Sequence, residues 1–283
     1  MTRKPDRRLL ITFPAVVLLA GALVLLLRPS ATMYLDLLRQ GDEHAARAER
    51  TGAIAAYREA VRLRPGDPLP YLRLAQVYLD WGRTGEALEA VAEAEQLGAE
   101  EADGPTTLTA SLERLQVAIY AARADWPAVV EHAQRLLALA PADGSTARLS
   151  SPKSELAGVL DDAETIRHTL ARATVEMREW DAARAEYGKL LDVDPTDLVA
   201  HERLGALSLG DDPAAIQHLF AARTDLAGGL IAALQEAGAV DDPAYSSVLL
   251  GRVLFEAQDW ALSVRQFECA LSHNPDFPDA HAY

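Results

Sequence analysis

The sequence predicts an all-α fold, an α-solenoid of stacked helical hairpins preceded by one N-terminal transmembrane helix. Three observations carry this: the composition, a charge-free apolar leader, and tryptophan and proline recurring at one offset. The 283 residues are rich in Ala, Leu, Glu and Arg, and 49% are hydrophobic although only 6% are aromatic. That balance favours helices packed closely through small side chains and disfavours sheet. The length exceeds one average domain, but a repeat array of this size folds as one continuous body.

Residues 1–8 form a basic N-terminus, and Leu9 to Leu27 is a run of 19 residues without a charge. At about 1.5 Å per residue the run spans roughly 28 Å, enough to cross a bilayer. Four basic residues precede it and only Arg28 immediately follows, so the positive-inside rule places the N-terminus in the cytoplasm and the body outside. A cleaved signal peptide has a shorter apolar region, about 7 to 15 residues, and the sequence RPSATM offers a poor cleavage site. The expectation is a retained single-pass anchor. Lysine is confined to Lys4, Lys153 and Lys189, and asparagine to Asn274. This bias suggests a GC-rich bacterial genome and hence a bacterial cytoplasmic membrane.

The net charge is −15, and residues 1 to 28 contribute +4, leaving −19 for the rest. So acidic a body repels phosphate backbones, which argues against nucleic-acid partners. Cys269 is the only cysteine, excluding an intramolecular disulfide or a thiolate metal cluster; its apolar helix pattern marks it as a core filler.

The repeat is legible in its spacing. Asp125-Trp126, Glu179-Trp180 and Asp259-Trp260 are each followed, fifteen residues after the tryptophan, by Pro141, Pro195 and Pro275; Arg50 and Pro65 make a fourth such pair. Eight residues before these prolines stand Tyr57, Ala133, Tyr187 and Phe267, and five before stand Ala60, Leu136, Leu190 and Ala270. These pairs lie on one helix face. Twenty-four before come Gly41, Val117, Ala171 and Gly251, mostly small, as close packing of a preceding helix requires. Each unit is therefore a helical hairpin.

This pattern resembles the tetratricopeptide repeat, whose 34-residue unit carries a Leu-Gly or Leu-Ala pair on its first helix and a terminal proline. Leu74-Ala75, Leu170-Ala171, Leu204-Gly205 and Leu250-Gly251 supply that pair. The resemblance covers about residues 34 to 283, with N-terminal repeats over 34–141, a linker or insertion over 142–160 and C-terminal repeats over 161–283. Proline spacings of 76, 54 and 80 depart from whole periods. They predict six units, four clear and two degenerate, with a shortened turn at Gly210 to Pro213 and an added helix near Leu226 to Ala239. The final residues, Phe277 to Tyr283, read like the opening of a further unit. One expectation is thus an accessory N-terminal region of a longer protein whose activity lies beyond residue 283.

No catalytic pattern stands out. The seven histidines form no HExxH motif, and His201-Glu202 lacks a second ligand. The acidic pairs Asp161-Asp162, Asp211-Asp212 and Asp241-Asp242 precede helical segments, where their oxygens cap free N–H groups. Asp192 to Asp197 lacks the glycine and distal glutamate of a calcium loop and reads as an inter-repeat turn. The expectation is no enzyme, no cofactor, no metal and no small-molecule substrate.

What the resemblance implies is a scaffold or assembly factor that binds a protein or peptide along the concave face lined by first helices. By offset from the small residue, that face takes Leu72, Gln76 and Leu79; Arg114 and Ala118; His168, Arg172 and Val175; Glu202; and Val248, Arg252 and Phe255. Arg114, Arg172 and Arg252 would form a row able to engage carboxylates bidentately.

Overall fold

A computed structural model of the protein describes residues 32–100, 106–139, 163–210, 212–240 and 242–283. The expected transmembrane run Leu9–Leu27 and the linker 142–160 lie outside the described residues. Among the described residues no helix is long and apolar enough to cross a membrane.

The described secondary structure is all helical. The chain divides into two compact units, one up to Leu115 and one from Gln116. The first holds α1 (32–46), α2 (Arg50–Leu63), α3 (Leu69–Asp80), α4 (Thr84–Glu100) and the start of α5 (Thr106–Ala122). The second holds the rest of α5, α6 (Trp126–Ala138), α7 (Ala163–Glu176), α8 (Trp180–Val193), α9 (Leu198–Ser208), α10 (Ala215–Ala222), α11 (Asp225–Ala237), α12 (Pro243–Glu256), α13 (Trp260–His273) and α14 (Pro278–Ala282). Hairpins pair α1 with α2, α3 with α4, α5 with α6, α7 with α8, α9 with α10 and α12 with α13. Helix α11 is the added element that the surplus between Pro195 and Pro275 foretold, and it packs against α12.

The turn inside most hairpins is one recurring device. Ala48, Ala124, Arg178 and Gln258 all have φ between 55° and 61°, and Gly82 has φ 75°. A left-handed residue just past a helix lets the next amide turn back onto the closing carbonyls. Thus the amides of Glu49, Arg83, Asp125, Glu179 and Asp259 donate to the carbonyls of His44, Tyr78, Tyr120, Thr174 and Leu254, at 2.8–3.0 Å. Asp125, Glu179 and Asp259, which precede Trp126, Trp180 and Trp260, are the N-caps of second helices, and Asp259 accepts from the Leu262 amide.

The prolines end the second helices by a different route. A residue preceding proline is excluded from the helical region, so Arg64, Asp194 and Asn274 have ψ of 78°, 95° and 98° and act as C-caps, their amides bonding Ala60, Leu190 and Ala270.

In the hairpins α1/α2 and α12/α13 the small residue meets an aromatic sixteen positions later. A Cβ built on Gly41 would lie 2.2 Å from the Tyr57 ring, and one on Gly251 would lie 2.7 Å from Phe267. The same register pairs Ala171 with Tyr187, and inverts the sizes at Val117 and Ala133; all four of these are buried. The core around α7 to α13 is built from Ala and Leu, including Ala183, Leu190, Leu207, Leu219, Leu230 and Leu254. Cys269 is only half-buried, correcting its expected role as a core filler: it falls between the buried positions Gln266, Phe267 and Ala270 of α13.

Two stability predictions follow from this geometry. Gln258→Gly relieves a left-handed side chain and raises unfolding stability by about 0.5–1 kcal/mol, whereas Gly82→Ala lowers it by a similar amount. Gly251→Val overpacks the hairpin and costs ~1–3 kcal/mol. Combined with Phe267→Ala, which recreates the Val117/Ala133 pairing, it costs less than the sum of the two single changes in urea unfolding.

Candidate functional site

The candidate face consists of first-helix positions at three offsets from the small residue, and the structure separates them. Three positions before it, Leu72 is 5% exposed and Val248 1% exposed. Leu72 is therefore withdrawn from the partner-contacting set: its side chain is consumed by the core. Arg114, His168 and Glu202 share that offset and are half-buried, and Arg114 Nε has no hydrogen-bond partner among the described residues. Four positions after the small residue, Leu79 is half-buried, Val175 is buried and Phe255 is exposed.

The position directly after the small residue is exposed in α7 and α12, half-buried at Gln76 and Ala118, and buried at Ala206. Arg172 and Arg252 occupy it and are exposed; Gln76 occupies it too, but bonds Asp80 of its own helix at 2.8 Å. The expected row of three arginines reduces to these two in the second unit, since Arg114 sits at a more enclosed offset in the first.

Several other candidates are already engaged within the fold. Glu202 accepts a hydrogen bond from the Thr224 hydroxyl, itself the N-cap of α11. His168 Nε2 lies 2.7 Å from Asp197 Oδ2. Phe255 packs edge-on against Trp260 and Tyr283, at 5.0 and 5.2 Å between centroids.

Trp126, Trp180 and Trp260 share the first position of a second helix, and two of them carry an arginine from a later helix. Arg172 lies over Trp126 at 5.7 Å and Arg265 over Trp180 at 5.3 Å, distances at which a guanidinium is drawn to the ring face. Arg203 pairs with Asp259, tying α9 to the cap of α13. Beneath these charges lies Tyr187, whose hydroxyl pKa burial pushes up to about 12.

Two groupings escaped motif-level reading of the sequence because their members are distant in the chain. Glu164, His168 and Asp197 bring ligand atoms within 4.8 Å of one another; the one local signal was Glu164 and His168 spaced one helical turn apart. His201 and His218 meet with Nδ1 atoms 2.9 Å apart, while His201 Nε2 bonds the Pro195 carbonyl at 3.0 Å. Asp212 and Asp242 cap the starts of following segments, accepting from the Ala214 and Ala244 amides, as expected of the second members of their pairs. Asp161, Asp162, Asp211 and Asp241 lie outside the described residues.

Repeated helical hairpins, joined by left-handed turns and closed by prolines, define a tetratricopeptide-like α-solenoid. Comparison with protein-family models gives no match, and comparison with curated proteins gives none. Among solved structures, a MamA protein matches at TM-score 0.52 with 19% identity, over 68% of this chain and 91% of that one. A MamA double mutant matches at TM-score 0.53 with 14% identity, over 67% and 92%. YrrB, a tetratricopeptide protein, matches more loosely at TM-score 0.44 with 13% identity, over 80% and 97%. At these identities the likeness to the two MamA structures establishes the fold alone.

The histidine pair yields a pH prediction. Burial, and then the neighbouring His201, hold the His218 pKa below its ordinary value. The unfolded chain therefore takes up this proton first as pH falls. The pair's contribution to stability is present above about pH 6.5 and is lost as pH drops through the folded value. The urea midpoint should fall between about pH 7.5 and pH 5.5, and the part of that fall due to the pair should vanish in His218→Gln.

Proposed function

We propose that this chain is a membrane-tethered scaffold or assembly factor that binds a protein or peptide segment along the face presented by its first helices. The observation that carries the reading is an exposed arginine at the same offset on two of those helices. In a chain of net charge −15, the exposed positions following Ala171 and Gly251 are both arginine. Guanidinium groups favour planar, bidentate partners, so the matching ligand is a segment bearing carboxylates. Phe255, exposed one turn beyond Arg252, offers an apolar anchor beside the charge. A tetratricopeptide-like fold supports a binding role in general; which segment binds is decided by these few side chains.

The tether in this proposal is Leu9–Leu27, and its support is the length of the charge-free run and the excess of basic residues before it. It gives a single-pass protein of a bacterial cytoplasmic membrane, N-terminus inside and repeats outside. Protease added to intact spheroplasts should then digest the body; full protection until lysis would reverse the topology.

Photo-crosslinkers placed at Gln76, Arg172 and Arg252 in native membranes should capture one principal protein. Charge reversal by Arg172→Glu together with Arg252→Glu should reduce that capture about tenfold or more, the scale expected for losing charge-assisted contacts. Unchanged capture after both reversals would overturn the role given to these arginines.

A further inference from the structure

One corner of the fold occurs twice with different chemistry. Two residues past Pro65, Asp67 accepts the Leu69 amide on Oδ1 at 3.0 Å and the Tyr34 hydroxyl on Oδ2 at 2.7 Å. Both oxygens of this aspartate are satisfied. Two residues past Pro195, Asp197 repeats the amide-accepting half, its Oδ1 accepting from the amides of Val199 and Ala200 at 2.9 and 3.0 Å. Tyr34 stands 31 residues before Pro65, and the same offset from Pro195 reaches Glu164. A hydroxyl donor has been replaced by a carboxylate, which when ionised only accepts.

The consequence is visible at Asp197. Its side chain is 7% exposed, yet Oδ2 makes no hydrogen bond among the described residues. A buried carboxylate oxygen without a donor is costly. Oδ2 nevertheless lies 2.7 Å from His168 Nε2, a contact that is not aligned as a hydrogen bond. Two lone-pair atoms this close repel unless positive charge lies between them, either a proton on the imidazole or a metal ion. A cation bound at about 2.0–2.2 Å from each donor sits off the line joining them, which is the arrangement an unaligned contact leaves room for.

We propose that Glu164, His168 and Asp197 form a binding site for a first-row divalent cation of the zinc class. Glu164 and His168 share one face of α7 a turn apart, and Asp197 approaches from the start of α9. Glu164 is exposed, so its carboxylate swings to close the remaining distance. One imidazole and two carboxylates suit Zn²⁺ or Mn²⁺ better than Cu(I), which prefers sulfur, or Ca²⁺, which takes six to eight oxygens. The neighbouring cations have other partners: Arg172 lies over Trp126, and Arg203 is paired with Asp259. Three protein donors leave a coordination position open to water or to a group from another molecule.

The test is calorimetric titration of Zn²⁺ alone into the full chain in detergent, with Co²⁺ absorption as a second readout. The wild type should take up Zn²⁺ at a site whose affinity falls about tenfold or more in His168→Gln and in Asp197→Asn. Asparagine caps a helix as well as aspartate, so Asp197→Asn separates ligation from capping; should it still disturb the circular dichroism, His168→Gln decides alone. Glu164→Tyr rebuilds the first corner and should both weaken Zn²⁺ uptake and raise the metal-free melting temperature. His201→Gln, which removes the other imidazole pair, should leave this binding intact. Absence of Zn²⁺ uptake, uptake indifferent to His168→Gln, or uptake lost only in His201→Gln overturns the proposal and leaves a proton as the charge between Asp197 and His168.

Discussion

Each hairpin depends on a size match at the point where its two helices approach most closely. In several of them one helix contributes a glycine or alanine and the other a larger side chain, as at Gly41 with Tyr57, Gly251 with Phe267 and Gly205 with Leu219. Because that side chain occupies the volume a Cβ would need, the backbones come near enough to bury the flanking alanines completely, among them Ala53, Ala60, Ala171 and Ala270. Interiors are packed at crystal-like density, so this single contact sets the spacing to which the leucines of the core then conform. The inverted pair, Val117 with Ala133, keeps the sum of volumes while exchanging their order.

Polar chemistry in the fold is mostly spent on ending helices cleanly. Left-handed residues before the second helices recover the last carbonyls of the first, and prolines after the second helices forbid a further turn. Aspartates past those prolines accept amides at the start of the next helix, Asp67 from Leu69 and Asp197, as its N-cap, from Val199 and Ala200. In so acidic a chain many arginines are paired with rings and carboxylates, several of them at the surface: Arg83 with Glu86, whose pKa it lowers by hydrogen bonding, Arg265 with Trp180 and Arg178 with Glu268 at 2.9 Å. Arg172, although it lies over Trp126, and Arg252 are exposed on first helices, which is why they carry the functional reading.

The face expected from helical offsets was legible only in part. An i, i+4, i+7 stripe assigns Leu72, Gln76 and Leu79 to one side of α3, but a stripe that broad spans both core and surface. Burial sorted it, taking Leu72 and Val175 inward and leaving Arg172 and Arg252 out. Spacing along the chain says which residues share a face, not where that face meets its neighbour.

Periodicity, prolines and the small-to-aromatic offset settled the helical hairpins, their turns and the added helix from sequence, because each of these is a local interaction repeated at a fixed distance along the chain. The meeting of Glu164 and His168 with Asp197, and of His201 with His218, came only with the tertiary structure. Those contacts join different helices whose separation depends on how successive hairpins stack, and stacking is a sum over many apolar side chains that no single motif records.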